Sequence, residues 1–67
     1  MLYTIKCNRN GKFISSLFSD SLEDTFSANT ASAAYVWNNL EFVMQLCDEI
    51  NTTYEHDFLC SIVRVYE

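Results

Sequence analysis

The chain has 67 residues, 49% apolar and 15% aromatic, with nine acidic residues against four basic ones and a net charge of −5. That length argues for one domain, 1–67, and the apolar content is enough to offset the entropy of ordering. The charge balance argues against direct nucleic-acid binding, which needs Lys and Arg to neutralise phosphates, and against an anionic membrane surface.

The basic residues are Lys6, Arg9, Lys12 and Arg64, so no Lys or Arg stands between Phe13 and Val63. That stretch carries Asp20, Glu23, Asp24, Glu41, Asp48, Glu49, Glu55 and Asp57. The expected result is a negative field over most of the surface, with a small basic pole near the chain ends. Such a field acts on solubility and partner choice rather than on the fold.

In chain order, Tyr3, Ile5 and Cys7 alternate with Thr4 and Lys6, the period of a half-buried strand. Asn10-Gly11 is a pair that tolerates positive φ and suits a tight hairpin turn. Residues 12–18, with Phe13, Ile14, Leu17 and Phe18, read as a second strand whose alternation breaks at Ser15-Ser16, marking either a bulge or the twist of the strand. Ser19 to Asp24 offers start signals for one short helical turn, and residues 27–33 read as loop. Ala34 to Trp37 reads as a short third strand or as the beginning of the helix that follows.

That helix is the clearest element, 38–54. Asn38 is placed to cap it with Glu41 completing a capping box. Leu40, Val43, Met44, Cys47, Ile50 and Tyr54 recur at three- and four-residue spacing, an amphipathic stripe. Fraying is expected near Thr52-Thr53, where β-branching disfavours helix. Residues 58–66 form a last strand with Phe58, Cys60, Ile62 and Tyr66 on one face and Leu59, Val63 and Val65 on the other. Two apolar faces suggest an inner strand or one with a covered second face. The expected fold is therefore α+β: a small two-layer domain with an antiparallel sheet of three to four strands and one helix packed on one face, in the order β-β-(β)-α-β.

No chemistry-bearing motif stands out. The three cysteines, Cys7, Cys47 and Cys60, are an odd number with no closely spaced pair, unlike a disulfide framework or a structural zinc site. On the strand and helix phases all three point inward and serve as small apolar fillers. Met1 leads straight into the first strand, so no signal segment is expected and the thiols are expected reduced. Asn51-Thr52-Thr53 matches a glycosylation sequon and is read as chance in that setting. His56, the one histidine, stands between Glu55 and Asp57, where it is solvated unless Cys60 turns toward it. A single glycine, Gly11, cannot build a phosphate-cradling loop. Adjacent carboxylates such as Asp48-Glu49 point in different directions on a helix. No catalytic residue, metal or cofactor is expected.

The outer face of the long helix is the informative constellation. Glu41, Gln45, Asp48 and Glu49 lie opposite the core stripe, with Phe42 among them and Leu46 beside it. An aromatic inside a polar rim has the form of an interaction anchor; the alternative is that the 19–33 segment covers Phe42 and Leu46. Trp37 and Tyr35 raise the same choice between core and interface.

Tyr3-x-Ile5, Asn10-Gly11-Lys12-Phe13, Ala34-x-x-Trp37, a helix, then Phe58 leading into Val63-x-Val65 resemble, in layout and composition, many short proteins encoded by bacteriophages and prophages. The resemblance spans nearly the whole chain and implies a non-enzymatic inhibitor or adaptor acting in the cytoplasm of a bacterial host, of the anti-restriction or anti-CRISPR kind. Its target would be a host nucleic-acid-handling protein with a basic surface, met by Asp20, Glu23, Asp24, Glu41, Gln45, Asp48 and Glu49 around Phe42 and Leu46. The alternative is a self-associating structural module, dimerising through Leu59, Val63 and Val65 or through Phe42 and Leu46.

Overall fold

In the computed structural model the structure describes residues 1–17, 21–55 and 59–65. Two strands, β1 (Leu2–Cys7) and β2 (Cys60–Val65), pair antiparallel, with Leu2 opposite Val65 and Cys7 opposite Cys60. Between them lie a one-turn helix α1 (Leu22–Thr25), a single 3₁₀ turn (Ala31–Ala33) and the main helix α2 (Leu40–Thr53). The small α+β class is as expected. α2 packs across both strands, and the alternation of β1 sets what it covers. Ile5 and Cys7 are fully buried and join Ile14, Phe26, Val43, Cys47, Leu59 and Cys60 in one core cluster.

The expected sheet of three to four strands is reduced to two. The second and third expected strands survive as isolated bridges on the free edge of β1: Lys6 with Phe13, and Tyr3 with Trp37. Ile14 donates its N–H to the Ile5 carbonyl at 2.9 Å and accepts from the Tyr35 N–H at 3.0 Å. At Ser15-Ser16 the chain leaves β1 altogether. Both amides turn to the Thr25 carbonyl, at 2.7 and 3.3 Å, and Phe13 bridges Ala28. The break in alternation is thus a departure from the sheet rather than a bulge within it. Trp37 then takes the edge positions that residues 15–16 vacate, through two hydrogen bonds with Tyr3 at 2.8 and 2.9 Å. Among the described residues β1 carries neighbours on both edges and β2 on one. Of the two readings of residues 58–66 the inner strand is therefore not what forms, while the partial burial of Ile62, Val63 and Val65 fits the covered second face.

The turn after β1 is longer than a two-residue hairpin. Cys7 N–H donates to the Lys12 carbonyl and Gly11 N–H to the Cys7 carbonyl, closing a loop over residues 8–11. Only Gly11 has positive φ there, at 73°. Asn10 instead uses its side chain: Oδ1 accepts the Lys12 N–H at 2.9 Å and Nδ2 donates to the Phe26 carbonyl at 3.2 Å. That second bond ties the turn to the segment behind it.

Ser21 caps α1 as the start signals suggested, accepting the Asp24 N–H at 3.2 Å. α2 begins one residue later than expected. Asn39, not Asn38, is the cap, its Oδ1 accepting the Phe42 N–H at 3.2 Å. Trp37 is held extended by Tyr3, so Asn38 is needed as the step from sheet to helix and the Asn38–Glu41 box does not form. At the other end the helix persists through Thr53, whose hydroxyl donates to the Glu49 carbonyl at 2.8 Å. Glu55, just past the helix, takes a left-handed φ of 52°.

The stripe expected to face the core is narrower than the sequence suggested. Val43 and Cys47 are buried and Ile50 and Tyr54 half-buried, whereas Leu40 and Met44 are 42% and 51% exposed. The two-stranded sheet is too narrow to cover that flank of the helix.

Candidate protein-interaction surface

The outward face of α2 carries Glu41, Gln45, Asp48 and Glu49, all exposed. Phe42 stands beside them, 46% exposed. It is not isolated. Its ring lies 5.9 Å from that of Trp37, tilted by 50°, and Trp37 stacks on Tyr35 at 6.2 Å, within the range of favourable aromatic pairs. The geometry follows from the chain. Tyr35 and Trp37 are two apart in an extended segment and so share a side. Trp37 is pinned to β1 by its backbone and packs partly against the core. Asn39 then starts the helix so that Phe42 returns beside Trp37. A half-buried Trp37 therefore carries two half-exposed rings, Tyr35 and Phe42, with Glu41 next to Phe42 in sequence.

The other expected contact residues divide. Glu23 and Asp24 are exposed on α1, but Glu23 borders a shallow depression shared with Arg9 and Asn10 rather than with the α2 carboxylates. Asp20 lies outside the described residues. Leu46 is half-buried and packs against the core, lining a cavity of about 180 Å³ with Ile14, Thr25 and Ile50. It is a flank of the core rather than part of the exposed anchor. Leu59 is only 2% exposed and belongs to the core cluster, which removes it from the expected dimer patch. It lies just before β2, and its carbonyl accepts the Asn8 N–H at 2.7 Å, which fixes the chain there. Val63 and Val65 are half-buried in β2, opposite Thr4 and Leu2.

The basic residues do not form a single pole. Arg9 and Lys12 stand exposed at the turn that follows β1. Arg64 is paired with Tyr3 near the start of that strand and its guanidinium donates to the Met1 Sδ.

All three cysteines are free and buried, as their phases suggested. What the linear spacing hid is their convergence. Cys60 stands across the ladder from Cys7, and its Sγ lies 2.9 Å from that of Cys47. Burial, then the Cys47 thiol beside it, pushes the Cys60 pKa well above the ordinary thiol range, so Cys60 keeps its proton. That opposes a thiolate nucleophile at this position. His56, the one base that a dyad would use, lies outside the described residues. Among the described residues no group of three or more His, Cys, Asp or Glu is arranged to hold a metal ion, and no helix is long and apolar enough to cross a membrane.

The chain matches no protein-family model, no curated protein and no solved structure. The functional reading therefore rests on surface chemistry. The sequence nominated Phe42, Trp37 and Tyr35 separately but missed that they form one run. The available signal was the two-residue spacing of Tyr35 and Trp37 ahead of a helix start.

Proposed function

We propose that this protein is a small acidic interaction module that docks the outer face of α2 on a basic surface of another protein. The supporting observation is Phe42, 46% exposed and propped by Trp37, at the border of Glu41, Gln45, Asp48 and Glu49. A half-desolvated aromatic anchors an interface, while the surrounding carboxylates and the net charge of −5 select a basic partner and speed encounter. The likeness in layout to short phage proteins extends this reading to a host nucleic-acid-handling protein as target, with the module acting as inhibitor or adaptor and performing no catalysis.

The test is capture from bacterial lysate on the immobilised chain at low and physiological salt, beside a Phe42→Ala column. The reading expects a nucleic-acid enzyme that is retained at low salt, released at higher salt, and lost or weakened by about 2 kcal/mol when Phe42 is truncated. Retention that ignores both salt and Phe42 defeats it.

Self-association is the second reading, supported by the half-buried Val63 and Val65 on β2, a strand paired on one side only among the described residues and so a candidate for pairing along its outer backbone. A sedimentation mass of one chain at high concentration removes it.

A further inference from the structure

We propose that Cys47 and Cys60 are a latent cross-link: a covalent modification site at which a low-molecular-weight disulfide oxidises the pair and ties α2 to β2. Three observations carry this. The two sulfurs are 2.9 Å apart, so about 0.9 Å of approach separates them from the about 2.05 Å of a disulfide bond. They are also held facing each other. Cys47 Sγ lies 3.4 Å from the Cys60 carbonyl oxygen, and Cys60 Sγ lies 3.5 Å from the Cys47 carbonyl oxygen. Finally, Asn51, one helical turn beyond Cys47, fixes the strand side. Its Oδ1 accepts the Cys60 N–H at 3.2 Å and lies 3.4 Å from the Cys60 sulfur. Thiols packed only as apolar filler need neither the mutual approach nor the polar clamp.

The chemistry balances as thiol–disulfide exchange. One thiol of the pair, deprotonated, attacks the small disulfide RSSR, forming a mixed disulfide and releasing one RS⁻. The second thiol loses its proton, attacks the protein sulfur of that mixed disulfide and releases the other RS⁻. The cysteine pair gives up two electrons and two protons, and these leave as two molecules of RSH. Both cysteines are buried and Cys60 holds its proton tightly, so exchange proceeds through transient opening of α2 from β2 rather than at the closed surface. The product closes the segment between two cysteines thirteen positions apart, linking the helix that carries Phe42 to the sheet beneath it. Cys7 is the third thiol. It faces Cys60 across the ladder and is the competitor that the test must separate.

The experiment uses the full reduced chain, incubated at neutral pH with oxidised glutathione over a range of oxidised-to-reduced ratios, then quenched with an alkylating label. The expected product is a monomer lighter by two hydrogens that takes one label, at Cys7. Its peptide map joins Cys47 to Cys60, and its thermal midpoint rises by several degrees and falls back on adding dithiothreitol. A map joining Cys7 to Cys60 overturns the proposal. So does glutathione left standing on Cys47 or Cys60 without closure, and so does uptake of three labels at the most oxidising ratio.

Discussion

The two edges of β1 are built in opposite ways. Toward β2 the strand meets one regular partner, six residues in register from Leu2–Val65 to Cys7–Cys60. Toward the other edge it meets two separate pieces of chain: residues 12–14, with Lys12 at Cys7 and Ile14 at Ile5, and Trp37 at Tyr3. The ladder needs only backbone and a register fixed by alternation. The patchwork needs side chains to position each piece, and it uses them: Asn10 on Phe26, Thr4 on Tyr35, and the Ser15 hydroxyl on the hydroxyl of Ser27. Among the described residues that edge is thus occupied without a third regular strand, which leaves less flat, extended edge on that side to recruit another chain.

If the patchwork is part of the same cooperative unit as the ladder, its filler residue should matter most. Phe26 is fully buried beneath it, so Phe26→Ala is expected to cost about 3–5 kcal/mol. That approaches the whole stability of a domain of this size, and urea unfolding followed by circular dichroism reads it. A loss below about 1 kcal/mol would mean that this edge opens independently of the sheet.

A smaller effect is expected at the turn that leads into the patchwork. Gly11 sits at φ 73° with nothing within 4 Å of an added Cβ, so Gly11→Ala adds backbone strain without a clash, about 1–2 kcal/mol. The same unfolding curve measures it, and an unchanged midpoint would show that the loop refolds into another turn.

The smallest effect isolates a single bond. The fully buried Thr4 donates its hydroxyl to the Tyr35 carbonyl at 2.7 Å. Thr4→Val keeps the shape and removes the bond, for a loss of about 1 kcal/mol. Faster hydrogen exchange at the Tyr3 and Trp37 amides, with the β2 ladder unchanged, would place the damage on the patchwork edge alone.

The same contrast explains what was legible in the sequence. β1 and α2 are long enough for a periodic pattern to accumulate, and both appear within a residue or two of their expected bounds. The hairpin partner of β1 stops at Ile14, because the Ser15 and Ser16 amides find an acceptor in the Thr25 carbonyl, a long-range contact that alternation does not encode. The cap moved from Asn38 to Asn39 because Trp37 is held by Tyr3, a contact spanning about half of the 67-residue chain. Strand phase put Leu59 on the second apolar face with Val63 and Val65, yet it precedes β2 and packs in the core. Within the candidate surface, Phe42 and the carboxylates of α2 were readable from helical phase, whereas the support that Trp37 gives Phe42 and the approach of Cys47 to Cys60 exist only once α2 is laid on the sheet.

The pairing of β1 with β2 has a consequence for how the chain reaches its fold. Arg64 touches Met1 across 63 positions, so the principal ladder joins segments from opposite ends of the described chain. The entropy of closing so wide a loop is met before any ladder bond returns it, which places this domain among slow folders for its length. A short covalent link between β1 and β2 at the Leu2–Val65 pair would turn that closure into a local one, so the linked molecule should fold faster than the open chain while keeping the same native contacts.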